Sequence, residues 1–459
     1  MKVLLTHGYF IKDDPNEMRI MKPYPPLGLL FISAWLKKCG MEHDLYDTTF
    51  KDIHTLKSYI EINQPGIIGM YTTLMTKSRI LDIINFLRQS QALKHAKIII
   101  GGPDVRYNAE NYLKEGADIV VPGEGEEPFA ELVTAFSSVD GGRQNLHKIK
   151  GINFIDNDGL LVQTDVRPPL DLREAPIPNY DYIDVNAYLR QWKIVHGFSS
   201  MTINSMRGCP YSCNWCSKSV YGNSCRRRPS EEIVKELMML KNTFHPDQVW
   251  FTDDVFTLNK DWLREFNNEL LKNDALIPYE CITRSDCLDE EVIGLLKYSG
   301  CRKVWIGAES GSQKVIDLMN RKVDLGYTAR MIEKLKSMSI SVGTFIMLGY
   351  PGERRNDILM TARFLENTLP DDLTIGIAYP IKGTRFFQHV EHTFDPPYEW
   401  KAGNEKKIRF KRPYSDRFYR FSIRYLKNIV EYKKKARGMQ KWIFFIKAFI
   451  SRAYIIFLS

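Results

Sequence analysis

The chain has 459 residues, of which 44% are hydrophobic and 26% are charged, a composition that excludes an intrinsically disordered protein and predicts two or three domains. The formal net charge of +9 is uneven, because residues 401–459 hold 17 Lys or Arg against 3 Asp or Glu and leave the first 400 residues at −5. A mildly acidic body argues against a uniform nucleic-acid-binding surface, and we expect no nucleic acid as a partner.

The first residues, MKVLLTHGYF, form a short apolar run that ends in a histidine. A secretory signal would have a longer apolar stretch and a cleavage site of small residues. We therefore expect a cytoplasmic protein, in which the eight cysteines do not form disulfides. No run of 18 apolar residues is free of charge, so the sequence predicts no membrane-spanning helix.

Residues 1–140 alternate short apolar runs (KVLLTHG, HDLYDT, GIIGMYT, KIIIGGP and DIVVPGEGE) with helix-like stretches. This alternation predicts a doubly wound, Rossmann-like α/β domain with a parallel sheet. Ligands of such sheets bind at the carboxyl ends of the strands. The candidate binding residues at those ends are Thr72, Thr73, Leu74, Gly101, Gly102, Pro103, Gly123, Glu124, Gly125 and Glu126.

Residues 141–198 are rich in Pro and Asn and predict a linker with one small hairpin, GINFIDNDGLLVQ. A second alternation of strands and helices fills residues 199–392, with strands at MTINSM, QVWFTDD, YECITRS, KVWIGAESG, SVGTFIMLGYPGE and LTIGIAYPIKGT. About six such units predict a partial TIM-type (βα)6 barrel, whose chemistry is expected at the carboxyl ends of the strands.

Three cysteines, Cys209, Cys213 and Cys216, follow the first predicted barrel strand in the segment RGCPYSCNWCSKS. Three thiolates on one loop can bind three irons of a cubane iron–sulfur cluster and leave the fourth iron open. Zinc is an alternative, although structural zinc sites use four protein ligands, for which Cys225 would be the further candidate. A set of buried structural cysteines is the third interpretation.

The spacing C-x3-C-x2-C, with the aromatic Trp215 before the last cysteine, resembles the signature of the radical S-adenosylmethionine (radical SAM) superfamily. The resemblance implies a [4Fe–4S] cluster bound by the three cysteines, with its open iron chelated by the amino and carboxylate groups of SAM. It further implies reductive cleavage of SAM to methionine and a 5′-deoxyadenosyl radical, with an electron donor such as flavodoxin or ferredoxin as partner.

Polar and glycine residues after the second to fifth barrel strands fit the same family pattern. The resemblance implies that two aspartates contact the SAM amino group, an arginine a carboxylate, a glutamate and a serine the ribose or methionine part, and a glycine the adenine. These residues are Asp253, Asp254, Arg284, Glu309, Ser310 and Gly349. Each also has an ordinary alternative, such as a helix cap for an aspartate pair. No side chain is identified as a catalytic acid or base.

The segments YPPLGLL, GGPD and PGEGEEPF resemble the cobalamin-binding domain that is fused to many radical SAM barrels, which implies cobalamin as a further cofactor. One departure is that the cobalt-binding motif D-x-H-x-x-G is absent, because Asp104 is followed by Val105, Arg106 and Tyr107. The fused radical SAM branch commonly lacks this histidine too. A Rossmann-like domain kept for packing or for another ligand is the alternative. The methylthiotransferases resemble the chain less, because Cys39 is the only cysteine before Cys209.

Residues 393–459 predict a basic, aromatic, helical region. Lysines and arginines among bulky aromatic residues suit a helix that lies on anionic lipid, and a helix docked on the barrel is the alternative. With the tail in contact with a membrane, we expect the protein at the inner face of that membrane and a small-molecule or lipid-like substrate.

The order of domains is similar to the radical SAM branch that holds anaerobic tetrapyrrole cyclases and hopanoid or bacteriochlorophyll methylases. The resemblance implies C-methylation or oxidative cyclisation at an unactivated carbon of a hydrophobic substrate. Two alternatives stay open. One is a radical SAM oxidation or rearrangement without cobalamin chemistry, and the other is a non-catalytic iron–sulfur scaffold.

Overall fold

A computed structural model of the chain describes residues 1–138, 143–401, 408–435 and 438–458. It contains two largely parallel sheets covered by helices, followed by two long helices. The strands of the first sheet are β1 (Val3–His7), β2 (Asp44–Tyr46), β3 (Ile67–Tyr71), β4 (Lys97–Gly101), β5 (Ile119–Val121), β6 (Asn153–Ile155) and β7 (Leu161–Gln163).

The first sheet has the order β2-β1-β3-β4-β5-β6-β7, with five parallel strands followed by an antiparallel hairpin. The hairpin predicted at GINFIDNDGLLVQ is β6 and β7, and it extends this sheet beyond β5. The helices around the sheet are α1 (Pro15–Ile20), α2 (Leu27–Lys38), α3 (Ile53–Asn63), α4 (Lys77–Gln89), α5 (Ala109–Lys114) and α6 (Glu126–Ser137).

Alternate residues of the parallel strands pack on opposite faces of the first sheet. Leu5, Ile67 and Ile99 contact the cluster that contains α2 and α6, whereas Leu4 and Ile68 contact the cluster that contains α3, α4 and α5. This two-sided burial explains why the strands read as continuous apolar runs. The carboxyl edge of the sheet remains for ligands.

Helix α7 (Val185–His196) connects the two sheets. It begins after Asp184, whose carboxylate accepts a hydrogen bond from the Ala187 N–H (3.0 Å), as an N-cap does. The Trp192 indole donates to the Pro23 carbonyl (2.8 Å), and the Tyr188 hydroxyl donates to Asp47 (2.6 Å). The connecting segment is therefore packed on the first domain.

The second sheet is parallel and open, in the order β8-β11-β12-β13-β14-β15. A separate two-stranded ribbon pairs β9 with β10. The bounds of these strands are β8 (Ser200–Ile203), β9 (Met206–Arg207), β10 (Arg226–Arg227), β11 (Gln248–Phe251), β12 (Tyr279–Thr283), β13 (Cys301–Glu309), β14 (Ser341–Leu348) and β15 (Asp372–Ile377).

Helices on the outer side of the second sheet complete a half-barrel. They are α8 (Ser230–Thr243), α9 (Lys260–Lys272), α10 (Glu290–Tyr298), α11 (Gln313–Leu318), α12 (Leu325–Ser337), α13 (Arg355–Thr368) and α14 (Arg385–Val390). Short 3-10 segments lie at Ile11–Asp13, Val105–Tyr107, Arg143–Lys148, Tyr180–Tyr182, Ser285–Cys287 and Glu391–Thr393.

Two antiparallel helices, α15 (Asp416–Lys434) and α16 (Met439–Phe457), follow the half-barrel. Phe418 and Tyr419 of α15 are buried against Ile346 and Leu348 of β14. None of the helices in the described ranges is both long and apolar enough to cross a membrane. The predicted class, a Rossmann-like domain followed by a parallel partial barrel and a helical C-terminal region, is confirmed.

Candidate active site

The three cysteines lie on a loop that the ribbon of β9 and β10 closes, with Arg207 opposite Arg226. The first loop residue, Gly208, has a φ of +86°. A Cβ atom at this position would lie 1.8 Å from the carbonyl oxygen of Ser224. Because only glycine tolerates both the backbone angle and this approach, Gly208 allows the loop to close.

The Lys218 side chain stabilises the cysteine loop through hydrogen bonds within it. Its ammonium group donates hydrogen bonds to the backbone oxygens of Cys209 (2.8 Å) and Tyr211 and to the side-chain oxygen of Asn223 (2.8 Å). These charge-assisted bonds join both ends of the loop. Lys218 therefore positions the backbone that carries the cysteines, a role that the cysteine spacing alone does not reveal.

All three thiols line one cavity of about 160 Å³ at the carboxyl ends of the barrel strands. The cavity is formed by the cysteine loop, the turn after β11, the ends of β12 and β13, and the turn after α11. Its other lining residues are Tyr211, Trp215, Lys218, Asp254, Val255, Ile282, Thr283, Arg284, Gly307, Glu309, Arg321 and Phe345.

The donor set in this cavity suits an iron–sulfur cluster. Three thiols from one loop face a single space, all eight cysteines are free, and thiolates are the usual ligands of such clusters. Burial raises the pKa of the Cys209 thiol, so metal binding would release its proton. Across the described ranges, no three Cys, His, Asp or Glu side chains lie close enough to hold one metal ion.

Two guanidinium groups lie beside the sulfur of Cys213. Arg284 Nη1 is 3.7 Å and Arg321 Nη1 is 3.9 Å from Cys213 Sγ. Arg284 donates to both oxygens of Asp286 (2.9 and 2.8 Å) and stacks on the Tyr211 ring at 3.6 Å. These cations offset negative charge that a thiolate and a bound anion would bring.

Arg321 is a site residue that sequence reasoning missed. It follows α11 and belongs to no recognisable motif, so only the folded chain brings it to the cysteines. Its side chain is buried, and its Nε has no hydrogen-bond partner within the described part of the chain. Since a buried donor without a partner is costly, this N–H is suited to a ligand acceptor.

The predicted aspartate pair divides between two roles. Asp253 is fully buried and accepts hydrogen bonds from the backbone N–H groups of Ser205 (2.8 Å) and Met206 (2.9 Å), so it fixes the turn that leads into the cysteine loop. Asp254 lines the thiol cavity, where burial and the neighbouring Asp253 raise its pKa. Of the two carboxylates, Asp254 is the one that faces the cavity.

Glu309 reaches the same cavity from an unusual backbone position at the end of β13. Its φ is +62°, and the strand register shifts between Gly307 and Glu309. Strain of this kind in a non-glycine residue points to a functional constraint. The buried carboxylate lies 3.7 Å from Arg321 Nη1, and burial raises its pKa.

Two other predicted residues take structural positions. The Ser310 hydroxyl is buried and hydrogen-bonded to the Thr361 hydroxyl (3.2 Å). The Gly349 N–H donates to the Glu353 carboxylate (2.6 Å). Neither residue is part of the wall of the thiol cavity.

A second cavity, of about 490 Å³, opens at the carboxyl edge of the first sheet. Segment 24–29 and several aromatic residues form much of its wall, and Thr202, Asn204 and Thr252 close it from the half-barrel. The predicted residues that line it are Gly101, Gly102, Gly123, Glu124, Gly125 and Glu126. Apolar side chains and bare backbone on one side of a wide cleft fit a large, flat ligand such as a corrin, whose ring face packs on apolar surface.

Four predicted residues of the first domain lie outside this wall. They are Thr72, Thr73, Leu74 and Pro103. The backbone oxygen of Thr72 lies 2.3 Å from where a Cβ of Gly102 would be, and Gly102 has a φ of +113°, so Gly102 allows the ends of β3 and β4 to approach each other closely. Asp104, which opens the segment without a histidine, accepts a hydrogen bond from the Tyr112 hydroxyl (2.7 Å).

The two glutamates of PGEGE form ion pairs with arginines of the ribbon of β9 and β10, which is called the cysteine ribbon below. Arg207 Nη1 donates to Glu124 (2.7 Å) and Arg207 Nη2 donates to Glu126 (2.6 Å), and Arg226 also pairs with Glu124 (3.0 Å). The Arg207 side chain is only 3% exposed. This buried network joins the first domain to the residue that directly precedes the cysteine loop.

The remaining barrel cysteines are separate from the three on the loop. Cys281 and Cys301 are buried, which agrees with small core residues. The Cys287 thiol is hydrogen-bonded to the Tyr211 hydroxyl (3.0 Å), and the Cys225 thiol contacts the Met206 sulfur (3.7 Å). Neither Cys225 nor Cys287 is part of the wall of the thiol cavity.

Comparison with protein-family models finds two matches in the chain. Residues 203–365 match the radical SAM superfamily, and residues 20–133 match the B12 binding domain. The first match contains the cysteine loop and the thiol cavity. The second contains the glycine-rich turns of the larger cavity.

Curated relatives cover most of the chain. An uncharacterized methyltransferase of Pyrococcus horikoshii is 28% identical over 407 residues, which are 85% of this chain and 83% of the relative. The anaerobic magnesium-protoporphyrin IX monomethyl ester cyclase of Rubrivivax gelatinosus is 25% identical over 403 residues, 85% of this chain and 70% of the relative.

Solved structures show the same fold. The radical S-adenosylmethionine methyltransferase TsrM of Kitasatospora setae, solved with cobalamin and a [4Fe–4S] cluster, aligns with a TM-score of 0.71 at 19% identity and covers 85% of this chain and 78% of its own. The cobalamin-dependent S-adenosylmethionine radical enzyme OxsB aligns with a TM-score of 0.76 at 16% identity and covers 99% of this chain and 72% of its own.

Proposed function

The chain is a radical SAM enzyme with a B12-binding domain, and from this premise we propose that it methylates or oxidatively cyclises an unactivated carbon of a hydrophobic substrate. When bound, the [4Fe–4S] cluster and SAM supply a carbon-centred radical, and cobalamin supplies a methyl donor. The residues of the chain hold these groups, orient them and exclude water.

The observation that carries the proposal is the adjacency of the two cavities. Arg207 lines the larger cavity and Cys209 lines the thiol cavity. Two residues of extended chain span at most about 7 Å. The residues of the two cavities would therefore hold the radical source and the methyl donor close enough to act on one substrate between them.

Within the thiol cavity, we assign separate tasks to the charged residues. Cys209, Cys213 and Cys216 bind the cluster, and Lys218 holds their loop. Asp254 faces the cavity as the acceptor for the SAM ammonium group. The positions described above support these assignments.

Three further groups complete this assignment. Arg321 offers its unpaired buried N–H to an anionic or polar ligand atom. Glu309 accepts hydrogen bonds from ribose hydroxyls, since it lines the cavity from a strained backbone position. Arg284, already bound to Asp286, positions Cys213 and offsets charge at its sulfur.

A substrate that receives a methyl group has to reach the corrin, so its class is inferred from the lining that it would share in the larger cavity. In the described lining, the charged side chains are Glu124, Glu126 and Arg207, and these pair with one another. The surface left for ligands is apolar, aromatic or backbone, which favours flat, greasy molecules over highly charged ones. A relative that is named a cyclase of magnesium-protoporphyrin IX monomethyl ester supports the same class.

A small redox protein such as flavodoxin or ferredoxin is the proposed electron donor. Cys216 is exposed, unlike the buried Cys209, so one side of the cysteine loop faces solvent. An electron could enter there without opening the barrel. The proposed location is the cytoplasm, at the inner face of the membrane.

The proposal is tested on protein produced anaerobically with cobalamin available. Iron, cobalt and the ultraviolet–visible spectrum are recorded, and 5′-deoxyadenosine is measured after dithionite and SAM are added. About four irons per chain, a bound corrin and deoxyadenosine are expected. Iron and deoxyadenosine without corrin would favour radical SAM chemistry without cobalamin. A cluster that never cleaves SAM would favour a scaffold, and zinc in place of iron would overturn the enzyme proposal.

A further inference from the structure

Helix α16 presents a wide outward surface without charge. Its exposed large apolar side chains are Met439, Trp442, Ile443, Phe445, Ile446, Phe449, Ile450, Tyr454, Ile456 and Phe457. At 100° per residue these positions spread over about half of the helix circumference. Trp442 and Phe449 are each 65% exposed and Phe457 is 83% exposed. Contiguous apolar surface of this size marks an interaction site.

The opposite side of α16 is docked on the protein, so the orientation of the outward face is fixed. Ala448 and Ile455 are buried in the apolar cluster that contains residues of α15. Ser451, on the same side of α16, is also buried. The Tyr454 ring stacks on Phe421 of α15 at 4.3 Å, with an interplanar angle of 12°. The apolar face is therefore displayed by a packed helix pair.

Basic residues border this apolar face. Lys441, Lys447 and Arg452 are the charged residues of α16, and at helical spacing they fall on its margins, next to the docked side. The charged residues of α15 are Asp416, Arg417, Arg420, Arg424, Lys427, Glu431, Lys433 and Lys434. The two helices together carry nine basic and two acidic residues.

Some of these cations are held at the edge of the apolar face by aromatic rings. Arg417 lies over the Tyr454 ring at 5.7 Å, and Lys441 lies over the Tyr432 ring at 5.2 Å. Charges at both ends of an exposed aromatic strip are placed to meet phosphate groups while the strip enters an apolar layer.

We propose that α16 is an interfacial helix that binds the chain to the surface of an anionic lipid bilayer. The helix lies parallel to the membrane plane, with the aromatic face among the acyl chains about 5–10 Å deep and the basic margins at the headgroups. At about 1.5 Å per residue its 19 residues run about 28 Å along the surface. The half-barrel then sits against the membrane on the side of α15.

Charge favours lipid over a second copy of the chain as the occupant. A symmetric dimer through α16 would bring two strongly basic helix pairs together, and like charges across an interface oppose association. An anionic bilayer offers acyl chains to the apolar face and negatively charged headgroups to the basic margins. This argument uses neither the cluster nor the substrate, so its failure would overturn the proposed membrane location and leave the proposed chemistry untouched.

The test is flotation of the full chain with vesicles of phosphatidylcholine alone or with added phosphatidylglycerol. The wild type is expected to float with the phosphatidylglycerol vesicles and to stay unbound with phosphatidylcholine alone, with binding weakened by salt. Trp442→Ser combined with Phe449→Ser removes two exposed rings and is expected to lower the bound fraction more than about tenfold.

Two controls make the result specific. Ile62→Ser makes the same kind of change at an apolar residue that is 81% exposed on α3, and its binding should equal that of the wild type. Lys447→Glu should weaken binding to phosphatidylglycerol vesicles and leave α16 folded by circular dichroism. Equal flotation of the double variant and wild type would overturn the proposal. So would a concentration-dependent dimer in light scattering that the same double variant abolishes, without vesicle binding.

Discussion

Arg207 and Glu126 form a buried ion pair, Nη2 to Oε1 at 2.6 Å, between the cysteine ribbon of the half-barrel and the glycine-rich turn of the B12-binding domain. The same guanidinium lies over the Phe31 ring at 4.9 Å. Because the next two residues are Gly208 and Cys209, this pair couples the larger cavity to the position of the first cluster cysteine.

Arg207→Met is therefore expected to affect both sites. The change leaves Glu124 and Glu126 buried near each other without their main cation, and loss of one partner of a buried pair costs about 3–5 kcal/mol. We expect a lower melting temperature and less corrin per chain. Calorimetry and the visible spectrum of anaerobically purified protein measure the two effects.

A combined variant tests whether charge is the cause. Glu126→Gln together with Arg207→Met removes one of the stranded carboxylates, so part of the lost stability should return. If the double variant is as unstable as the sum of the two single variants, the pair does not act as a unit. In that case the loss would come from packing against Phe31.

Gly208→Ala is expected to prevent correct closure of the cysteine loop. The added Cβ would lie 1.8 Å from the Ser224 carbonyl oxygen, at a φ of +86°, which no small shift relieves. Iron content after anaerobic reconstitution should fall sharply, while corrin binding is kept by the first domain. Gly222→Ala is the matched control in the same loop, because Gly222 also has a positive φ (+62°) but its Cβ would meet no atom within 4 Å; it should bind iron nearly as well as the wild type.

Cys213→Ala is expected to abolish SAM cleavage while any bound cobalamin is retained. The cubane loses one thiolate, and Arg284 and Arg321 lose the sulfur that they flank at 3.7 and 3.9 Å. Production of 5′-deoxyadenosine in the presence of dithionite measures the effect. Cys225→Ala should cleave SAM at the wild-type rate, since that thiol contacts Met206 and lies outside the cavity. Cleavage by Cys213→Ala would show that the cluster assignment is wrong.

The sequence predicts the elements better than the contacts between them. Apolar periodicity predicts the strands of both sheets, and the three cysteines predict one shared cavity, because each signal lies within a few neighbouring residues. Arg207 and Glu126 are 81 residues apart, so their pairing depends on how two domains meet. For the same reason, nothing near Arg321 in the chain predicts its place beside Cys213.

The aspartate pair shows a second kind of limit. Consecutive residues at a strand end point to opposite sides, so a sequence motif that contains both Asp253 and Asp254 does not say which one faces the cavity. In the fold, Asp253 binds the backbone of Ser205 and Met206, and Asp254 lines the cavity. The preceding turn, which the motif does not include, determines which aspartate faces the cavity.

Stability is expected to fall as pH rises because of Glu353, a carboxyl group behind the β14 turn. Burial raises the pKa of Glu353 to about 8, although the Gly349 N–H favours its ionised form, and its Oε1 has no hydrogen-bond partner in the described ranges. An unfolded glutamate has a pKa of about 4.3. Between these values the folded state binds more protons than the unfolded state, so the free energy of unfolding decreases with rising pH, by up to about 5 kcal/mol.

Glu353→Gln should remove this pH dependence, because the amide stays neutral and still offers an oxygen to the Gly349 N–H. Melting temperatures of holoprotein at about pH 5 and about pH 8 measure it: the wild type should lose stability at the higher pH, and the variant should lose less. The exposed Glu61→Gln on α3 is the matched control and should follow the wild type. Parallel curves for Glu353→Gln and the wild type would show that Glu353 is already ionised in the fold and that a neighbouring group stabilises its charge.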